Sequence, residues 1–186
     1  FPAKPLGCYG DGGAIFTNNP DLANIYRSIR VHGQGKNKYD CSRIGINGRM
    51  DTIQAAILLS KLSIYEEEID LRQDVASKYS NKLKDYLEIP NILNGYKSVW
   101  AQYSILFSDE KVRDNVIKSL KSRNIPSMIY YQKPLHLQLA FEDLGYSRSD
   151  FSVSEDVSRR ILSLPMHPYL ADSDIDLICQ TIITAI

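Results

Sequence analysis

Lys4 is a side chain whose type and surroundings could serve covalent chemistry. A lysine amine condenses with an aldehyde to a Schiff base once burial lowers its pKa. Lys4 lies in the run FPAKPLGCYGDGGA over residues 1–14. Pro2 and Pro5 restrict the backbone around it, and the glycines that follow allow close approach of chain and ligand. On the residues alone a solvated lysine is the commoner case. Asn47, between Gly45 and Gly48, reads on the residues alone as a turn residue. Arg49 has a fork of donors for a phosphate or carboxylate, with a surface ion pair as the alternative. His136 follows Tyr130 and Tyr131, and on a strand only one of those tyrosines faces a given side. A lone histidine is more often a satisfied structural residue, and His32 and His167 read as structural. Lys36, Lys38 and Arg43 could attract a nucleotide diphosphate, but a solvated loop face is the simpler account. The run Gly33-Gln34-Gly35-Lys36 is not a P-loop, because that spacing needs glycine where Arg30 stands and Ser or Thr where Asn37 stands.

The composition bounds what these groups can be part of. The chain has 186 residues, 22 basic and 22 acidic, with 44% hydrophobic and 24% charged. Those are globular values, which exclude a disordered tail or a collagen-like rod. The balanced charge gives no drive for tight nucleic-acid binding, and no apolar run approaches the length of a membrane span. Cys8, Cys41 and Cys179 are far apart and odd in number. That suits a reducing compartment rather than a disulfide framework or a zinc site. Phe1 is not a methionine and no signal sequence precedes it, so the chain reads as if cut from something longer.

The elements that must position these groups follow from pattern. Residues 12–17 read as a short buried strand. Asn19 and Pro20 open a helix with Leu22, Ile25, Tyr26 and Ile29 on one face, ending near Val31. Residues 32–49 form a long, polar, basic loop, and loops of that length are functional or mobile. Asp51-x-x-Gln54 is a capping-box pattern before a long helix, or two joined by a bend. That helix carries apolar residues on two faces at its start, then a narrower stripe at Ala76, Tyr79, Leu83 and Leu87. Tyr103, Ile105 and Phe107 alternate as a half-buried strand. Ser108 is expected to cap a helix through Val112, Val116 and Leu120 that stops near Arg123. Residues 128–131 read as another strand. Ser152-x-x-Glu155 is a second capping box before a helix with Val153, Val157 and Ile161. The last helix starts near Asp172 and buries Ile175, Ile178, Cys179, Ile182, Ile183 and Ile186.

Several motifs in order give a sharper reading. Residues 1–17 resemble the active-site lysine segment of DegT-type nucleotide-sugar aminotransferases. Residues 19–23 (NPDLA), 30–33 (RVHG), 45–51 (GINGRMD) and 54–56 (QAA) are similar to the same family in the same order. So are residues 134–138 (PLHLQ) and 162–168 (LSLPMHP). The resemblance covers essentially the whole chain. It implies an α/β protein of the PLP-dependent transferase fold type I. Residues 1–89 would be the end of the large domain with a long connecting helix, and residues 90–186 the small α+β C-terminal domain.

It also implies chemistry. Lys4 would hold pyridoxal 5'-phosphate covalently and later shuttle a proton, while the cofactor serves as electron sink. Asn47 would reach the cofactor phosphate of a neighbouring subunit, which makes the active unit a homodimer with shared sites. Arg49, His136 and Tyr131 would meet the substrate. The implied reaction is transamination of a nucleotide-linked keto-sugar in glycan precursor biosynthesis, with glutamate as donor, in the cytoplasm. No metal is implied. The sequence departs from the family pattern at Ala3, where Ser or Thr is commoner, and at Gln132, where proline is frequent. The second departure bears on the pocket entrance and so on substrate identity. Two other readings stand beside this one. The chain by itself could be a non-catalytic piece that serves only packing and association. A dehydratase of the same family is the other, although those place histidine where Lys4 stands.

Overall fold

The computed structural model describes residues 2–186; Phe1, where the resemblance begins, lies outside the described residues. The chain forms two compact units, the first ending at Glu66 and the second spanning Glu67–Ile186.

The first unit holds two helices and long irregular segments. Helix α1 (Pro20–Arg30) begins where expected: the Asn19 side chain accepts from the backbone N–H groups of Asp21 and Leu22, and Pro20 takes the first turn. It ends at Val31, again as expected. Helix α2 (Thr52–Leu62) starts after Asp51, but the Asp51 side chain makes no capping hydrogen bond. The other half of the expected capping box is absent too, since the Gln54 Oε1 accepts from the backbone N–H of Tyr9 at 2.8 Å. The expected strand at residues 12–17 does not form, and those residues are exposed. A strand needs a neighbour to satisfy its N–H and C=O groups, and among the described residues no strand pairs with this segment. Of the hydrophobic side chains in the first unit, Cys8 and Leu58 are buried. The two apolar faces expected of α2 are therefore largely uncovered, with Ile53 and Leu59 exposed.

Helix α3 (Tyr65–Leu83) follows a bend at Ser63 and Ile64, so the long helix is two. From Glu67 onward the second unit builds one core. Val75, Ala76, Tyr79 and Leu83 of α3 are buried in it, on the stripe read from the sequence. Strand β1 (Tyr103–Leu106) pairs antiparallel with β2 (Ile161–Leu164), in the register Tyr103↔Leu164 to Leu106↔Ile161. Tyr103 and Ile105 point into the core as the alternation requires. Ser104 and Ser163 face each other across the pair and share a hydrogen bond of 2.7 Å, which satisfies two polar groups near the core.

Two helices cover this ribbon. Helix α4 (Glu110–Ser122) buries Val116 and Leu120 and stops at Arg123 as expected. Its cap is Asp109 rather than Ser108: the carboxylate accepts from the N–H groups of Lys111 and Val112 at 2.8 and 3.0 Å. Those bonds hold its pKa below the ordinary carboxylate value, with the Val112 amide contributing most. Helix α6 (Asp172–Ala185) buries Ile175, Ile178, Cys179 and Ile182; Ile183 is partly buried, and Ile186 beyond its end is exposed. Tyr79 donates to the carbonyl of Pro165 at 3.0 Å, and burial pushes its phenol far above the usual value. Burial likewise pushes the Cys179 thiol up to about 11, which marks a packing cysteine, not a reactive one.

Two further expectations change. Residues 128–131 form only an isolated bridge, Met128↔Ser163, and not a strand. Helix α5 (Ser152–Arg160) has Phe151 at its cap position, with no side-chain capping bond. Ser152 is already helical, Val153 is exposed, and Ile161 opens β2 instead of ending the helix. Among the described residues no helix is long and apolar enough to cross a membrane.

Candidate active site

In the first unit, Lys4 sits exposed on a bend. Gly7 closes that bend: a Cβ there would stand 1.9 Å from the carbonyl oxygen of Pro2, so no other residue fits. Cys8 is buried beneath it and its thiol donates to the Gly10 carbonyl at 3.0 Å. Tyr9 is tied to α2 through Gln54, and Lys61 of α2 lies over the Tyr9 ring. The lysine segment is thus anchored by residues after Lys4, while the amine itself stays open.

The loop of residues 32–49 is pinned by backbone hydrogen bonds to the end of α1. His32 donates to Ile46 and Ile46 to Ile29, both at 2.9 Å, and Gly48 donates to Arg30 at 2.9 Å. The chain crosses itself at Gly33, where φ is +73° and a Cβ would lie 1.8 Å from the Arg43 carbonyl oxygen. This staple presents Asn47 and Arg49 beside one another. Arg49 Nε donates to Asn47 Oδ1 at 2.9 Å, which leaves the amide N–H groups of Asn47 as its donors. The pairing was not foreseen from the sequence, where the two residues had separate roles.

In the second unit, Tyr130, Tyr131, His136 and Phe151 line one cleft of about 390 Å³, together with Val157 and Ile161. The expectation that the two tyrosines face opposite ways fails, because no strand forms there; both line the cleft with their rings edge to face, 6.0 Å apart. Tyr131 is 73% exposed. The His136 side chain is only 7% exposed, and its Nε2 lies 3.1 Å from Glu155 Oε1. The same oxygen accepts from the backbone N–H of Ser149 at 2.7 Å. Desolvation works to raise the Glu155 pKa, yet the Ser149 amide and His136 outweigh it and hold the carboxyl below its ordinary value. Glu155 was missed as a site residue because its spacing from Ser152 matched a helix cap. Nothing local in the sequence links it to His136. His167 behaves structurally, its Nδ1 accepting from the Tyr169 N–H at 3.2 Å. Among the described residues no cluster could hold a metal ion.

The match to known proteins is specific. The chain belongs to the DegT/DnrJ/EryC1/StrS aminotransferase family, whose model matches residues 1–183. It is 45% identical, over 98% of its length and 49% of the other's, to the UDP-2-acetamido-2-deoxy-3-oxo-D-glucuronate aminotransferase of Pseudomonas aeruginosa. It is similar to the crystal structure of a family aminotransferase from Brucella abortus, with TM-score 0.92 and 51% identity, covering 99% of this chain and 48% of that one. A Streptomyces venezuelae structure, DesV in complex with a ketimine intermediate, gives TM-score 0.93 at 29% identity, over 100% of this chain and 50% of that one. The fold is therefore the α/β fold of PLP-dependent DegT-type aminotransferases, fold type I. The chain spans about half the length of the curated relatives it matches.

Proposed function

We propose that these residues belong to an enzyme that uses pyridoxal 5'-phosphate to transfer an amino group from glutamate to a nucleotide-linked keto-sugar in glycan precursor synthesis. The observation that carries this reading is Lys4 on a glycine-closed bend, inside a segment that resembles the family's active-site lysine segment. The residues present suit the cofactor. The bend leaves the amine open, and Asn47, with Oδ1 already taken by Arg49, offers only N–H donors to a phosphate. When bound, the cofactor supplies the electron sink for breaking a bond at the donor's α-carbon. Lys4 would hold it through Nζ, and the same amine would serve to move a proton. Asn47 donates to the phosphate of a neighbouring subunit's cofactor, so the working unit is a homodimer with shared sites.

Arg49 binds an anionic group of the substrate. The relative from Pseudomonas is named for a sugar acid, and a carboxylate suits the paired donors of a guanidinium. The cleft at Tyr131 and His136 takes the sugar. Residues 1–89 are the end of the cofactor-binding domain together with a connecting helix whose buried stripe belongs to the core of the small domain, residues 90–186. We place the protein in the cytoplasm, in keeping with its free cysteines.

The test uses the protein expressed from its complete reading frame. It is mixed with pyridoxal phosphate, followed by visible absorbance, reduced with borohydride, and digested for peptide mapping. The expected label is on Lys4. Label on no lysine, or on another one, rejects the reading.

A further inference from the structure

One oxygen of Glu155 joins three stretches of chain. It accepts from His136 at 3.1 Å, in the short turn of Leu135–Leu137, and from the Ser149 amide at 2.7 Å, while its own backbone lies in the first turn of α5. Ser149 reaches it with φ +77°, a conformation that a residue with a side chain adopts at a cost, so the amide is held in place by the surrounding structure. The carboxylate is 13% exposed. Phe151 lies against the imidazole at 4.8 Å between ring centres, and Tyr146 meets Phe151 edge on at 5.1 Å.

This arrangement fixes more than the ring's place. An ionised carboxylate only accepts hydrogen bonds, so Nε2 is the ring nitrogen that carries a proton toward Glu155. Nδ1 is the ring nitrogen left for a ligand, in a residue that lines the cleft of Tyr130 and Tyr131. An acceptor on an aromatic wall recognises a hydroxyl.

We propose that Glu155 is a positioning residue for substrate recognition. It clamps His136 with Nε2 protonated so that Nδ1 accepts a hydrogen bond from a hydroxyl of the sugar. This rests on the reading of the cleft given under Proposed function, and it assigns a role to a residue that does not itself touch the ligand.

The test measures affinity of the cofactor-loaded protein for two probes, UDP-N-acetylglucosamine and UDP, by calorimetry. The sugar's added contribution is the readout. Glu155→Ala is expected to weaken binding of the sugar nucleotide by about five- to tenfold, the scale of one hydrogen bond, and to leave UDP within about twofold. Glu155→Gln keeps an acceptor for both His136 and Ser149 and is expected to restore affinity to within about threefold. His136→Phe preserves packing on Phe151 but removes the acceptor, and should match Glu155→Ala. In the double variant the two losses should not add, since both remove one contact. If Glu155→Ala does not fold, the comparison of Glu155→Gln with His136→Phe still decides.

Equal affinity of the wild-type protein for the two probes overturns the proposal. So does a loss on UDP as large as that on the sugar nucleotide, or a Gln variant as weak as His136→Phe. A protein that labels at Lys4 but ignores Glu155 loses this proposal and keeps the reading of its function. One that responds at Glu155 but takes no label at Lys4 does the reverse.

Discussion

The two units spend their apolar side chains in opposite ways. The second unit turns Tyr79, Tyr103, Leu120, Leu162 and Ile182 inward, all fully buried, around a two-stranded ribbon and three helices. The first leaves Phe16 91% and Ile44 96% exposed, and buries little beyond Cys8 and Leu58. Yet the first unit is not loosely built. Its loop is tied to α1 by backbone hydrogen bonds and by a crossing at Gly33, and its lysine bend is tied to α2. One unit is held by burial, the other by backbone geometry. Burial supplies most of the free energy of folding, whereas tight turns and hydrogen bonds set where a few groups stand. The contrast suits the proposed division of labour: the second unit is a scaffold with a cleft, and the first presents Lys4, Asn47 and Arg49.

The comparison breaks most visibly at the core. Leu120→Ala should cost about 2–5 kcal/mol in urea unfolding. The signal is clean because Trp100 is the only tryptophan and lies in the second unit. Ile44→Ala, at a side chain almost wholly exposed, should change that curve by less than about 0.5 kcal/mol. Equal costs at the two sites contradict the contrast.

The backbone side of the comparison is sharpened at Gly33. A methyl group there meets the Arg43 carbonyl at 1.8 Å with φ at +73°. Gly33→Ala should therefore loosen the staple by about 1–3 kcal/mol, the usual cost of such a conformation. Hydrogen exchange reads this directly: the amides of His32, Ile46 and Gly48 should lose protection, while those of Ser163 and Leu106 in the second unit should not. Unchanged protection at Ile46 would show that the crossing does not hold the loop.

The smallest effect separates two helix starts that look alike in sequence. Asp109 caps α4 with two backbone hydrogen bonds, and Asp109→Ala should cost about 1 kcal/mol. Asp51 precedes α2 without a side-chain capping bond, so Asp51→Ala should cost only a few tenths, about 0.3 kcal/mol. Thermal unfolding of the two variants side by side distinguishes them, and a larger loss at Asp51 reverses the ranking.

What could be read from the chain alone was what local chemistry controls. Asn19 and Pro20 set the start of α1, the apolar stripe of α3 ran through Ala76, Tyr79 and Leu83, and the face of α6 followed its isoleucines. Each of these depends on neighbours within a turn or two. The ordered motifs were also legible, and they carried the family. Pairing and partner choice were not. Residues 12–17 have the composition of a strand and no strand beside them, while residues 161–164, read as the end of a helix and a motif, became β2 because β1 lay within reach. Gln54 and Glu155 both matched capping boxes, and both were drawn away, one to the Tyr9 amide and the other to His136. A capping pattern records what a side chain can bond nearby. Which donor it meets is decided when distant segments pack, because packing brings donors such as the Tyr9 amide and His136 within reach of the same oxygen.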